Sequence, residues 1–165
     1  MPADDAITAS AGFVLFILIA WISVIDFRYF IIPDAANLTL GAAGLLYRFL
    51  LFRSFPLYSV AGALCLFLFL YLVRVFYLRF RNTNGLGLGD VKLGGAAALW
   101  LQPMDLPILL LVASITAIAA MLLFHTIKGG SLKSRRLPFG PFLGASLFVV
   151  WLGEAMSYSG SGFPV

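Results

Sequence analysis

Two aspartates, Asp26 and Asp90, are the residues whose setting in this chain points to chemistry. Asp26 directly follows the apolar run WISVI, and Asp90 joins a glycine-rich stretch, NGLGLG, to the apolar run that comes next. Two carboxyl groups close together in a low-dielectric site cannot both ionise easily, so they share one proton and titrate as a unit. In such a pair the ionised carboxylate takes a proton from water, which attacks a peptide carbonyl, and the protonated partner donates to the developing oxyanion. The two aspartates therefore predict the chemistry of an aspartic protease.

The stretch before Asp90 alternates glycine with leucine, with glycines at Gly85, Gly87 and Gly89. Glycine lets another backbone approach closely and permits dihedrals that other residues avoid. An extended substrate could lie against such a loop and form backbone hydrogen bonds with it. Non-helical backbone at membrane depth is tolerated only inside protein or beside a wet cavity. The loop therefore predicts a cavity next to Asp90.

Simpler interpretations of the acidic residues remain open. Asp90 could be only the N-cap of a helix, and Asp26 could be an interfacial residue near Arg28. Asp34 follows Pro33 and is predicted to be the N-cap of the second helix. A phosphate-binding loop is disfavoured, because the spacing is G-x-G-x-G-D, no strand precedes it, and Asp90 would repel an anion.

The composition is that of an integral membrane protein. The chain is 62% hydrophobic and only 11% charged, with a mean hydropathy of +1.02, whereas soluble domains are about 25% charged. Its one cysteine, Cys65, excludes an internal disulfide framework and a multi-cysteine metal site, and we expect no cofactor and no metal. Topology and anionic lipid headgroups explain the net charge of +4. We therefore expect the lipid bilayer, and no nucleic acid, as a partner.

The apolar runs predict an all-α, polytopic membrane protein of about six transmembrane helices in a single domain, 1–165. A bilayer core is about 30 Å thick and needs roughly 20 apolar residues. The fourth run is short: the twelve residues from Asp90 to Leu101 give roughly 18 Å of helix. Asp90 is thus expected below the inner interface, where an ionisable side chain indicates a functional site. The predicted spans are Ile7–Ile25, Ala35–Phe52, Leu57–Leu78, Val91–Leu101, Leu106–Ile127 and Phe139–Ala155.

The basic residues predict the orientation, because short loops rich in Lys and Arg stay in the cytoplasm. One side carries only Arg48 and Arg53. We therefore expect the N-terminus outside and both aspartates on the cytoplasmic side; the acidic first ten residues also argue against a cleavable signal peptide. The other side carries nine basic residues: Arg28, Arg74, Arg79, Arg81, Lys92, Lys128, Lys133, Arg135 and Arg136.

Three motifs together resemble the type IV prepilin peptidases. GLGLGDVKL, residues 85–93, is similar to the GxGD signature of that family. DFRYFIIPDAAN, residues 26–37, is similar to the family's earlier aspartate with its following basic residue and Ile-Pro-Asp. LPFGPFLG, residues 137–144, resembles the segment that opens the family's last helix. The motifs occur in the family's order.

The resemblance implies that Asp26 and Asp90 are the catalytic pair, that Gly87 and Gly89 shape the loop beside it, and that Lys92 tunes the charge of the pair or holds a cytoplasmic contact. It also implies that Gly140 and the prolines beside it set the start of the last helix. The implied reaction is removal of the basic leader from prepilins or pseudopilins, at the cytoplasmic face of the bacterial inner membrane. The cut falls before the hydrophobic helix of the pilin.

One departure and two rival functions follow from the same comparison. Larger family members carry two CxxC pairs that bind zinc, and they also methylate the new terminus; with Cys65 alone, we expect peptidase activity only. A protease of the presenilin and signal-peptide-peptidase group is disfavoured, because Ile25 precedes Asp26 and no Pro-Ala-Leu occurs. The remaining alternative is a small transporter or assembly subunit whose aspartates relay protons or ions.

Overall fold

The computed structural model describes residues 2–81, 86–128 and 138–161. Within these ranges the regular structure is entirely helical, which confirms the all-α fold class and the prediction of six helices. A 3₁₀ turn at Pro103–Asp105 precedes the fifth helix. The helices are α1 (Pro2–Tyr29), α2 (Asp34–Phe52), α3 (Leu57–Arg81), α4 (Leu88–Ala98), α5 (Leu106–Lys128) and α6 (Gly140–Ser161).

Five of these helices are long and apolar enough to cross a membrane, namely α1, α2, α3, α5 and α6. Their outer faces expose many large apolar side chains, such as Phe13, Leu64 and Val149. Soluble monomers rarely expose apolar surface on this scale. The chain is therefore a polytopic membrane protein with its apolar faces toward lipid.

Helix α4 is the short element that the sequence predicted. Its eleven residues span about 17 Å, well below the bilayer thickness. It is enclosed by α2, α3 and α6, and small residues allow the close approach. A Cβ on Gly94 would lie 2.5 Å from Leu70 Cδ1 of α3. On the opposite side, a Cβ on Gly41 of α2 would lie 3.6 Å from Ala96 Cβ.

The end of α4 is fixed by Trp100, whose side chain is fully buried. The Trp100 indole Nε1 donates a hydrogen bond to the Leu40 carbonyl of α2 at 2.9 Å. A Cβ on Gly44 would lie 2.6 Å from the Trp100 ring, so only glycine leaves room for the indole there. The Tyr47 ring stacks on Trp100 with centroids 5.6 Å apart. Gly41 and Gly44 thus bring α2 and α4 together.

A buried ion pair closes the same end of the bundle. Arg48 Nη2 of α2 donates to Glu154 Oε1 of α6 at 2.6 Å, with side-chain exposures of 1% and 9%. The other oxygen, Glu154 Oε2, accepts the backbone N–H of Gln102 at 3.3 Å. The Gln102 amide also bonds to the Tyr158 hydroxyl. One carboxylate therefore joins α2, α6 and the turn that follows α4.

The predicted N-cap role of Asp34 is wrong. Pro33 occupies the N-cap position of α2 in an extended conformation, and the helix begins at Asp34 itself. The Asp34 carboxylate is used differently, since Oδ1 accepts a hydrogen bond from Lys92 Nζ of α4 at 2.6 Å. The Asp34 carboxylate therefore joins α2 to α4 by an ion pair and does not cap its own helix.

Glu154→Gln is expected to destabilise the bundle by about 3–5 kcal/mol, because it leaves the buried Arg48 guanidinium without its counter-charge. The measurement is thermal unfolding in detergent, read as a lowered Tm. The paired control is Arg48→Met with Glu154→Leu, which removes both charges and should recover most of the loss. A Glu154→Gln variant that melts like the wild type would show that this pair does not support the fold.

Candidate active site

Asp26 lies in the last turn of α1, and its side chain is 4% exposed. The helix ends because Phe30 takes the left-handed conformation, with φ of 53°. The Phe30 N–H donates to the Asp26 carbonyl at 2.9 Å. This conformation costs a non-glycine residue about 1–2 kcal/mol. It turns the chain sharply, so that residues 30–32 line the same cavity as Asp26.

The Asp26 carboxyl group is held by the start of α6. The backbone N–H of Gly140 donates to Asp26 Oδ2 at 2.9 Å, and the bond is buried. Gly140 is the first residue of α6, so the carboxyl group lies at a helix N-terminus, where free N–H groups and the helix dipole favour negative charge. A Cβ on Gly140 would lie 2.6 Å from Oδ2. This position therefore requires glycine for close approach.

Asp90 lies in the first turn of α4, three residues after the N-cap residue Gly87. Its carboxyl group reaches back toward Gly87, whose backbone lowers the pKa of Asp90. A Cβ on Gly87 would lie 2.7 Å from Asp90 Oδ2. The backbone of Gly87 is ordinary, with φ of −66°, so glycine is needed here for space and not for unusual dihedrals. The interpretation of Asp90 as a simple N-cap is wrong.

Gly89 brings the start of α4 against the α1–α2 connection. A Cβ on Gly89 would lie 3.2 Å from Ile32 Cβ and 3.5 Å from the Ile32 backbone nitrogen. Ile32 is buried and also approaches Gly140, where an added Cβ would lie 3.2 Å from Ile32 Cδ1. Ile32 thus packs between the two helix N-termini that carry the carboxyl groups.

Asp26 and Asp90 open onto one cavity of about 210 Å³, lined otherwise by residues 30–32 and 87–89. A water molecule occupies roughly 30 Å³ in the liquid, so the cavity has room for several waters or for a short piece of backbone.

Asp90 lies in α4, which is not one of the five membrane-spanning helices. Burial, and then the charge of Asp26, raise the pKa of Asp90 to about 6, against the lowering effect of the Gly87 backbone. The cavity expected beside the glycine loop is present, and both aspartates line it.

Two basic residues near the site, Lys92 and Arg74, contact the chain around the cavity and do not line it. Lys92 does not line the cavity; its ion pair with Asp34 joins α4 to the start of α2. Arg74 of α3 is one of the basic residues on the predicted cytoplasmic side, and its Nη1 donates to the Leu86 carbonyl at 2.6 Å. It therefore holds the chain just before Gly87. Gly85, the first glycine of the motif, lies outside the described residues.

Sequence reasoning missed three contributors to this site. Gly140 was interpreted only as part of a helix start, and Arg74 only as one of the basic residues that predict the orientation. Phe30 gave no signal, since an aromatic residue is unusual in the left-handed region. The signal for Gly140 was a glycine between bulky residues where a helix begins. Among the described residues, no group of three or more His, Cys, Asp or Glu side chains could hold a metal ion.

Comparison with known proteins gives a family match over most of the chain. A sequence model described as the Type IV leader peptidase family matches residues 13–122, a range that contains both aspartates and ends before α6. "Leader peptidase HopD" of Escherichia coli is 31% identical over 138 residues, covering 81% of this chain and 89% of that protein. No solved structure matches this chain.

Longer relatives match as well. A "Prepilin leader peptidase/N-methyltransferase" of Burkholderia pseudomallei (strain 1026b) is 33% identical over 157 residues, or 94% of this chain and 48% of the relative. A protein of the same description from Dickeya chrysanthemi is 38% identical over 132 residues, or 76% of this chain and 44% of the relative. The chain therefore spans about half the length of these relatives, and most of the length of HopD.

Proposed function

The chain belongs to the type IV leader peptidase family, and on that basis we propose that it is a membrane aspartic endopeptidase in which Asp26 and Asp90 are the catalytic pair. The observation that carries the proposal is that both carboxyl groups open onto one small cavity. The substrate is a prepilin or pseudopilin, and the reaction removes its basic leader peptide. We propose this hydrolysis and no further reaction on the substrate.

The reaction needs one proton shared by the two carboxyl groups. The ionised carboxylate takes a proton from a water molecule in the cavity, and the water oxygen bonds to the carbonyl carbon of the scissile peptide. The protonated carboxyl group gives its proton to the carbonyl oxygen. When the C–N bond breaks, a carboxyl group protonates the leaving amine, and the second hydroxyl of the tetrahedral intermediate returns a proton to the pair.

The shared proton belongs to the pair, and either carboxyl group can hold it before substrate attack. Burial raises the pKa of Asp90 and favours its neutral form, and the Gly140 N–H at 2.9 Å from Asp26 Oδ2 stabilises negative charge on Asp26. The carboxyl group that is ionised activates water, and the protonated one donates to the substrate oxygen.

The other predicted site residues support this pair from outside the reaction. Gly87 and Gly89 leave space for the Asp90 carboxyl group and for Ile32, and they shape the wall against which an extended substrate lies. Lys92 holds the first turn of α4 to α2 through Asp34. In this proposal its contribution is to position α4.

We further propose that the site faces the cytoplasm of a bacterium, with the protein in the inner membrane and its N-terminus outside. Both aspartates lie at the same end of the bundle as Arg28, Arg79 and Lys92, since α1 and α3 end there and α4 begins there. The excess of basic residues at this end supports a cytoplasmic location.

Asp26→Asn and Asp90→Asn are each expected to lower leader removal by at least about a hundredfold, because asparagine keeps the shape of the side chain but cannot exchange the shared proton. The experiment co-expresses each variant with a candidate prepilin and measures the size of the pilin and the mass of its new N-terminus.

Asp5→Asn is the matched control, since Asp5 is exposed at the far end of α1 and its loss should leave cleavage unchanged. Cleavage that survives in either site variant would remove that aspartate from the mechanism. Failure of the wild type on several prepilins would favour the proton-relay alternative over a peptidase.

Gly140→Ala is expected to reduce cleavage by roughly a hundredfold while leaving the Tm nearly unchanged. The new methyl group would meet the tip of the Asp26 side chain, which can rotate away at little cost to the fold but then leaves the geometry that catalysis needs. Gly153→Ala in the same helix is the control, because nothing lies within 4 Å of its added Cβ. Equal cleavage by the two variants would show that Gly140 does not position Asp26.

Membrane orientation predicts opposite labelling of two single cysteines, Ser54→Cys and Arg79→Cys, in a Cys65→Ala background. Ser54 lies in the α2–α3 connection and Arg79 near the end of α3. A membrane-impermeant maleimide added to spheroplasts should label the first position at once, and the second only after the membrane is opened. The reverse pattern would place the site outside the cytoplasm.

A further inference from the structure

Ile32 lies where three parts of the candidate site meet. It belongs to the connection between the end of α1 at Tyr29 and the start of α2 at Asp34. Its side chain is buried, and it lines the cavity onto which Asp26 and Asp90 open. An aliphatic side chain cannot donate or accept a proton, so an effect of Ile32 on acid–base chemistry must come through the residues that it contacts.

Different atoms of Ile32 lie against the starts of two different helices. A Cβ on Gly89, in the first turn of α4, would lie 3.2 Å from Ile32 Cβ and 3.6 Å from its Cγ1. A Cβ on Gly140, the first residue of α6, would lie 3.2 Å from Ile32 Cδ1. The two helices also pack against each other. The Ile32 side chain therefore fills the space between their first turns.

Each of these helix starts holds one of the two carboxyl groups. Gly89 is bonded directly to Asp90, and the Gly140 N–H donates to Asp26 Oδ2 at 2.9 Å. A movement of one helix start relative to the other would therefore move one carboxyl group relative to the other.

The backbone on both sides of Ile32 is fixed. Before it, the Phe30 N–H donates to the Asp26 carbonyl at 2.9 Å. After it, the Pro33 carbonyl accepts the Ala36 N–H at 3.0 Å, in the first turn of α2. A residue that precedes proline is restricted to extended conformations, and branching at Cβ restricts the χ1 rotamers of isoleucine. Ile32 is therefore stiff enough to act as a spacer.

We propose that Ile32 is a positioning residue that keeps the starts of α4 and α6 apart and thereby sets the separation of the Asp90 and Asp26 carboxyl groups. This inference rests on the proposed peptidase function and adds a residue that positions its catalytic pair. The separation matters for the rate, because a misplacement of about 1 Å can cost roughly a hundredfold. It also matters for the pH range of activity, because the repulsion between two carboxylates depends on their distance.

The charges around the pair allow the separation to be measured through pH. Among the described residues, Asp26 and Asp90 are the ionisable side chains that line the cavity. Lys92 is paired with Asp34 at 2.6 Å, and Arg74 of α3 donates to a backbone carbonyl. The charge of Asp26 already raises the pKa of Asp90. A closer approach of the two groups would therefore retain the shared proton to a higher pH.

Ile32→Val removes only Cδ1, the atom that faces Gly140. The surrounding helices should close partly into the vacated space and bring the carboxyl groups closer together. We expect kcat to fall by about threefold to tenfold, with KM within about twofold of the wild-type value. The alkaline limb of the pH–rate profile should move to higher pH. The measurement uses the purified full chain in detergent and a prepilin that the wild type cleaves.

Ile19→Val is the matched control, since it removes the same methyl group from another isoleucine that packs on α6. A Cβ on Gly144 of α6 would lie 2.8 Å from Ile19 Cγ2, and Ile19 does not line the cavity. This variant should lower the Tm about as much as Ile32→Val does. Its kcat, KM and pH–rate profile should stay at the wild-type values.

The outcomes separate this inference from the proposed function. If the wild type cleaves and the two variants differ neither in kcat nor in pH–rate profile, Ile32 is only a packing residue and the inference is overturned. An alkaline limb that moves to lower pH would show that water fills the vacated space, and a raised KM with unchanged kcat would place Ile32 in substrate binding; either result would also overturn it. If the wild type cleaves no prepilin, the peptidase function itself has failed, and the inference fails with it.

Discussion

The constraint on which the rest of the structure depends is the length of α4. Eleven residues reach only about halfway across a bilayer, so both ends of this helix lie within the protein and need partners there. At one end, Trp100 and the Glu154 carboxylate close the bundle. At the other end, the first turn carries Asp90 into a cavity. Along its side, an apolar gap of about 750 Å³ remains open between α2 and α3.

Both candidate catalytic carboxyl groups lie at helix N-termini. Asp26 accepts the first N–H of α6, and the Asp90 carboxyl group lies beside the backbone of Gly87, the residue that caps α4. Backbone donors of this kind carry no net charge of their own, and they are held in place by the helices. An arginine or lysine in the same place would fix the carboxylate as an ion and would remove the shared proton. Backbone N–H groups instead support either protonation state, which is what acid–base chemistry with one proton between two groups requires.

The glycines of the site act mainly by leaving space. Gly87 has ordinary backbone dihedrals, yet a Cβ there would meet the Asp90 carboxyl group, and a Cβ on Gly140 would meet that of Asp26. The left-handed conformation falls instead on Phe30, where the sequence gives no hint of it. Sequence reasoning gave the glycines of the loop two roles, close approach of another backbone and unusual dihedrals. At these two positions the structure shows that glycine marks close contact between a backbone and a side chain.

The sequence by itself determined the membrane class, the number of helices and the short fourth helix, and it marked the two aspartates as candidates for the site, because hydropathy, helix length and motif spacing are local properties of the chain. Only the tertiary structure decided which donors hold those aspartates. It assigned Gly140 to Asp26 across 114 residues, paired Lys92 with Asp34 across 58 residues, and left Asn37 without a partner among the described residues. These contacts join helices that are distant in sequence, so they depend on how the helices pack, and packing is a property of the whole bundle that no single segment encodes.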